Sequence, residues 1–218
     1  MGYTNSSLVT VEVLSPNHSG QRNHEIDTIT IHCVVGQLTA KRIGEIFQSE
    51  SKKASSNYGI GLDGSIGLYV EERNRSWCSS SASNDHRAIT IEVASDKTEP
   101  YAITDKAYKA LIDLVTDICK RNGIKELKWK ADKSLIGQVD RQNMTVHRWF
   151  ANKSCPGTHL YERHSQIAKE VNEKLKVSKR YRIQIGSFSK RENAEKMLAK
   201  AQSAGFKDAF IKEESVCT

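Results

Sequence analysis

The chain has 218 residues, of which 38% are hydrophobic and 27% are charged, and its formal net charge is +7. The length suits one folded domain with a small additional unit. The composition is that of a globular protein and excludes an intrinsically disordered chain. No apolar run approaches the roughly 18 residues that a membrane-spanning helix needs, so the sequence predicts no membrane partner.

The chain begins with polar residues and then alternates strand and helix patterns. Residues 8–14 alternate in polarity, and residues 26–35 form a β-branched run that is typical of a buried central strand. A short helix is expected over residues 39–47, with its apolar side chains on one side. No apolar segment with a cleavage site lies in the first 23 residues, so the sequence predicts no signal peptide and synthesis in the cytoplasm.

A hairpin and a further buried strand follow. Residues 57–62 and 65–70 read as two strands, joined at Asp63-Gly64, which is a strong turn signal. Residues 87–93 form another apolar strand pattern.

The remaining part of this region predicts two helices and one short strand. Thr104 is expected to cap a long helix that ends before Gly123. A strand is expected over residues 144–147 and a last helix over residues 161–175. Strands interleaved with helices predict an α/β domain over residues 8–175, in which a mixed central sheet is flanked by helices. The apolar face of the long helix is formed by Ala107, Leu111, Leu114, Val115 and Ile118.

The C-terminal part differs in charge and pattern from the rest. Residues 176–180 read as a charged linker, and residues 181–218 as a separate unit with a strand over 182–187, a helix over 192–204 and a strand over 209–211. Residues 176–214 hold ten Lys and Arg against five acids, which is +5 of the net +7. Such a bias favours an anionic partner, and anionic wall polymers, nucleic acid and a membrane surface all fit it.

Three separated residues are candidate metal ligands. His32 lies in the strand sequence ITIHC, His147 in TVHRW, and Cys155 in NKSCPG. Imidazole and thiolate are preferred zinc donors, and three protein ligands with an open fourth position are typical of a catalytic zinc. Taken singly, each of the three residues is also explained as an ordinary buried side chain. Their spacing matches no short zinc-binding motif, so the spacing alone does not favour the metal. The five cysteines are scattered and odd in number, so no disulfide framework is expected.

Four motifs in order resemble the type-2 N-acetylmuramoyl-L-alanine amidases, whose fold is shared with the peptidoglycan recognition proteins. They are ITIHC, NYGIGLDGSIGLYVEE, AITIEVASD and VHRWFANKSCPG, within residues 10–172. The resemblance implies Zn²⁺ bound by His32, His147 and Cys155. It also implies hydrolysis of the amide bond between N-acetylmuramic acid and L-alanine in peptidoglycan.

The resemblance also implies catalytic side chains beside the zinc. Lys153 matches a family position that stabilises the oxyanion. Glu92 matches the proton acceptor of one branch of the family. In another branch a Tyr serves instead, and that position aligns here with Ser56, which favours Glu92.

Other residues near these motifs have less specific expectations. Glu71 and Glu72 are rival acid–base candidates, although charged residues at the end of a hairpin are usually only solvated. Tyr58 and Asn84 are candidates for lining the substrate groove.

Residues 181–211 resemble the first half of a SPOR domain, a family that recognises septal peptidoglycan. The resemblance lies in the sequence YRIQIGSFS, followed by Glu192-Asn193-Ala194 and Gly205-Phe206. A complete SPOR domain has a second β-α-β half, so a homo-oligomer that pairs the open strand edges of this unit is a hypothesis.

The combined prediction is a cell-wall hydrolase of the endolysin or autolysin type. It would reach the wall through a holin or act outside the cell. The alternative is a non-catalytic peptidoglycan-binding module on the same fold. A nucleic-acid partner is not expected, because the sequence contains no helix-turn-helix, zinc-finger spacing or RNP-type aromatic pair.

Overall fold

The computed structural model of the chain describes residues 3–176 and 183–214. These residues fall into two compact units, divided between Val177 and Ser178. No helix in the described ranges is long and apolar enough to cross a membrane.

The first unit is built around a six-stranded sheet, which contains β1 (Val11–Glu12), β3 (Thr28–Val35), β4 (Tyr58–Ile60), β5 (Ile66–Leu68), β7 (Ala88–Ser95) and β8 (Met144–Thr145). The order of the strands in this sheet is β1-β5-β4-β7-β3-β8. The β4–β5 pair is antiparallel, as the predicted hairpin requires, and the other neighbours are parallel. The predicted mixed sheet is therefore confirmed. A separate two-stranded sheet pairs β2 (His18–Gln21) with β6 (Asn74–Ser76).

Four α-helices belong to the described part of this unit. The apolar face predicted for the long helix is fully buried, and Thr104 caps that helix by accepting a hydrogen bond from the Ala107 amide. β3 and β7 are buried along almost their whole length, as central parallel strands are. The helices are α1 (Ala40–Ile46), α2 (Ala82–Arg87), α3 (Asp105–Arg121) and α4 (Gly157–Lys176).

Several elements differ from the sequence prediction. β2, β6 and α2 were not predicted, because their residues are mainly polar and lack a clear apolar period. The last helix begins four residues earlier than expected, at Gly157. The backbone φ of Gly157 is +79°, which suits glycine, and a Cβ on this residue would lie 2.8 Å from the side chain of Tyr101.

The second unit contains one helix in its described part, α5 (Arg191–Ser203). The two predicted flanking strands are not formed: residues 183–187 and 209–211 have no strand assignment, so the predicted β-α-β arrangement is wrong there. An isolated strand has no partner for its backbone groups, which explains why the strand pattern alone was insufficient. Residue 182 and linker residues 177–180 lie outside the described ranges.

Candidate metal centre

Parallel strand pairing brings the two candidate histidines together. β3 carries His32, and β8 lies beside β3 in parallel orientation. His147 follows β8 by two residues and begins a short 3-10 helix, His147–Trp149. Because parallel strands end at the same edge of a sheet, both imidazoles reach one region, and Cys155 joins them from the loop before α4.

The three candidate ligands meet within one small space. His32, His147 and Cys155 each offer a donor atom, and these atoms lie within 4.8 Å of one another. Sγ of Cys155 is 3.4 Å from Nδ1 of His32. The rings of the two histidines are 5.1 Å apart between centroids. Separations of this size allow one ion to contact all three donors.

The electrostatics of the site favour the metal-binding form of both histidines. Burial, followed by the charges of His147 and His164, holds the pKa of His32 well below its usual value. Burial and then the charge of Lys153 lower the pKa of His147. Both rings are therefore neutral near pH 7, and neutral imidazole is the form that binds a metal.

The thiol of Cys155, unlike the two imidazoles, is held in the protonated form that does not bind a metal. Hydrogen bonding with Cys33 and then burial raise the pKa of Cys155 well above its usual value. An ion that binds here must displace the thiol proton, as zinc does at cysteine ligands.

Ser80 orients the ring of His147. Its hydroxyl lies 2.9 Å from Nε2 of His147, which leaves Nδ1 free for a metal. The backbone of Ser80 has a φ of +63°, an unfavourable conformation for a residue with a Cβ. Asp85 holds the preceding turn by accepting hydrogen bonds from the amides of Cys78 and Ser79. Sequence reasoning missed Ser80, because a serine within a run of three serines carries no distinguishing signal.

Glu92 lies beside His32. The two residues are direct partners in the β3–β7 register. Burial raises the pKa of Glu92 to about 7. The Cys78 thiol donates a hydrogen bond to Oε1 of Glu92 at 3.8 Å, whereas Oε2 has no partner among the described residues.

Lys153 lies at the exposed side of the site. Its charge contributes to the lowered pKa of His147. The side chain is exposed and forms no ion pair with a described residue. It is therefore available to a ligand that enters the site.

Comparison with protein-family models places these residues in a known family. The model described as N-acetylmuramoyl-L-alanine amidase matches residues 22–158, more than half of the chain. The chain belongs to this amidase family. A second model, described as SPOR domain, matches residues 177–216. No curated protein sequence matches the chain.

Solved structures confirm the fold of an amidase of this family. An endolysin N-acetylmuramoyl-L-alanine amidase from Clostridium intestinale is 20% identical with a TM-score of 0.51, over 77% of this chain and 95% of that chain. A mutant endolysin from Bacillus subtilis is 14% identical with a TM-score of 0.53, over 74% and 97%. The Drosophila peptidoglycan recognition protein SA is 14% identical with a TM-score of 0.52, over 72% and 91%. At these identities the likeness shows the fold alone.

Two residues expected to line the substrate groove of the amidase unit are buried instead. Tyr58 is fully buried, and its hydroxyl donates to Oε1 of Glu72. Asn84 is 5% exposed and bonds through its amide to the hydroxyls of Thr30 and Thr145. Both predictions of a groove-lining role are wrong, because these side chains already have internal hydrogen-bond partners and almost no surface.

The rival carboxylates of the amidase unit have structural partners. Glu72 is fully buried, and Oε1 is 2.6 Å from a guanidinium nitrogen of Arg121. Glu71 forms an ion pair with Arg73 at 2.9 Å. Among the described residues, neither Glu71 nor Glu72 belongs to a group of side chains that could hold a metal with His32. Glu92 does belong to such a group, so it is the carboxylate adjacent to the candidate centre.

Proposed function

We propose that this chain hydrolyses the amide bond between N-acetylmuramic acid and L-alanine in peptidoglycan, using zinc. The observation that carries the proposal is the convergence of His32, His147 and Cys155 in a member of the amidase family. The residues fit the metal: both imidazoles are neutral, each has a nitrogen within reach, and the thiol completes a nitrogen–sulfur donor set. Bound zinc would supply Lewis-acid polarisation of the scissile carbonyl and a lowered pKa for a water molecule.

Glu92 is the proposed proton acceptor. A pKa of about 7 is suited to general-base work at neutral pH, because such a group can both accept a proton and return it. Oε2 has no partner among the described residues and is free to face the attacking water, while Oε1 is held by Cys78. The returned proton would go to the leaving amine of L-alanine.

Lys153 is the proposed stabiliser of the oxyanion. Charge develops on the carbonyl oxygen when water attacks, and a fixed cation there stabilises the transition state more than the substrate. Lys153 is exposed, its charge lowers the pKa of His147, and it has no ion-pair partner among the described residues, which supports this role.

We propose a two-part organisation, with a catalytic domain over residues 8–175, a linker over 176–180 and a wall-binding unit over 181–218. The SPOR match over residues 177–216 supports peptidoglycan binding by the second part. The basic excess of residues 176–214 favours a contribution from anionic wall polymers. The proposed role is a lytic one at the cell wall.

The alternative function is peptidoglycan binding without catalysis, which the fold of the Drosophila recognition protein also fits. The full set of proposed zinc ligands favours hydrolysis. The test is incubation of the zinc-loaded full chain with purified peptidoglycan, followed by labelling of new N-terminal L-alanine. Glu92→Gln and Cys155→Ser serve as matched variants.

The expected result is one zinc per chain, release of L-alanine N-termini by the wild type, and loss of release in both variants. Binding to the wall without new N-termini would establish the non-catalytic alternative. Normal release by Glu92→Gln would show that another group accepts the proton.

A further inference from the structure

A second group of metal-binding side chains lies beside the first. His32, Cys78 and Glu92 each offer a donor atom, and these three atoms lie within 4.8 Å of one another. The set combines an imidazole, a thiol and a carboxylate, which are all ligands of zinc and of softer divalent ions such as cadmium. Cys78 does not belong to the four family motifs.

Two buried atoms in this group lack partners. Nε2 of His32 and Oε2 of Glu92 have no hydrogen-bond partner among the described residues. His32 is fully buried, so its unpaired nitrogen is removed from water altogether. Buried polar atoms without partners are uncommon and costly, and a bound ion is one of the few explanations for them. The nitrogen near Cys155 is Nδ1, so Nε2 is the unused donor of the same ring.

We propose that His32, Cys78 and Glu92 form a second position for a thiophilic divalent cation. Binding there displaces the thiol proton of Cys78 to solvent, and the cation receives a thiolate, an imidazole nitrogen and a carboxylate oxygen. A neutral imidazole carries one ring proton and ligates through one nitrogen only. The two positions therefore compete for His32.

Occupation of the second position has a direct consequence for catalysis. Glu92 becomes a ligand and loses the lone pair that would accept a proton. This consequence rests on the proposed role of Glu92 in hydrolysis, whereas the existence of the second position does not. A chain with a cation at the second position is therefore inactive as a hydrolase.

The test removes the first position and follows the second by spectroscopy. Full-length Cys155→Ser is titrated with Cd²⁺, and thiolate-to-cadmium absorbance is recorded. The matched variants are Cys78→Ser/Cys155→Ser and, as a control, Cys33→Ser/Cys155→Ser. In Cys155→Ser and in Cys33→Ser/Cys155→Ser, we expect an absorbance band with the intensity of one cadmium-bound thiolate per chain. In Cys78→Ser/Cys155→Ser, we expect this band to be lost.

Two results would overturn the second position: no band in Cys155→Ser, or an undiminished band in the Cys78 double variant. If that double variant does not fold by circular dichroism, Glu92→Gln/Cys155→Ser decides instead. The cadmium affinity of Glu92→Gln/Cys155→Ser should be at least about tenfold weaker than that of Cys155→Ser, because loss of a direct ligand weakens binding at least as much as loss of a group that supports a ligand. An unchanged affinity overturns the proposal. Failure of the wild type to release L-alanine N-termini would contradict the amidase proposal and leave this titration unaffected.

Discussion

Replacing Glu92 with glutamine should remove a pH-dependent loss of stability from the metal-free protein and should strongly lower the rate of the zinc-loaded protein. The carboxyl group is held in a buried strand with a pKa of about 7, against an ordinary value of 4.5. Ionising this group is therefore less favourable in the folded protein than in water. In the unfolded chain the same group ionises freely in water.

The sign and size follow from proton linkage. Between about pH 4.5 and pH 7 the folded state binds more protons than the unfolded state, so the free energy of unfolding falls as pH rises through this window. The loss attributable to this one carboxyl group is about 3 kcal/mol by pH 8. The amide of the Glu92→Gln variant does not titrate, so the variant should lack this decline, and a constant cost of fitting the amide does not change the slope.

The assay is denaturant unfolding of wild type and Glu92→Gln in the presence of a chelator, at several values between about pH 4 and about pH 8. The difference in unfolding free energy should change by about 3 kcal/mol in favour of the variant across this range. Zinc-loaded Glu92→Gln should keep its metal and lose about 1000-fold in rate, within the range for removal of a general base. Identical pH dependence of stability in both proteins would refute the account of a buried, uncompensated carboxylate.

Three other perturbations test separate parts of the site and the second unit. Ser80→Ala should weaken zinc binding by about 10- to 100-fold, as measured by competition with a chelator, because the His147 ring loses its hydrogen-bond partner. Ser80→Gly should weaken zinc binding equally, yet raise the free energy of unfolding by about 1 kcal/mol, because glycine relieves the positive φ at this position. Lys153→Met should lower kcat by about 100-fold with zinc content unchanged, and Lys153→Arg should restore part of the rate; equal rates in all three proteins would contradict its oxyanion role. Reversing the exposed charges of Lys196, Lys200 and Lys207 to Glu should reduce cosedimentation with walls several-fold at low salt, and an unchanged bound fraction would exclude an electrostatic contribution.

The fold of the first unit was largely predictable because its strands and helices have strong apolar patterns. The β-branched run that became β3 and the apolar face of α3 are buried as expected. The short polar strands β2 and β6 were not predictable, since their pairing depends on tertiary contacts rather than on a periodic pattern. The expected strands around α5 failed for a related reason: alternation indicates a strand only where a partner strand is available.

The candidate site was predictable only in part. The resemblance gave the residues His32, His147, Cys155 and Glu92, and parallel strand order explains why the first two meet. Ser80 and Cys78 carry no motif and enter the site because a turn anchored by Asp85 lies against it. Tyr58 is a buried core residue, and its motif does not reveal this because an aromatic side chain there is equally compatible with a groove position. Such distinctions depend on tertiary packing around the individual side chain, which the residue type and its motif do not show by themselves.

Zinc K-edge X-ray absorption of the zinc-loaded wild type tests the central claim most directly. The account predicts two imidazole nitrogens at about 2.0–2.1 Å and one sulfur at about 2.3 Å around the ion, from His32, His147 and Cys155. A spectrum without sulfur, or with a single imidazole, would contradict it.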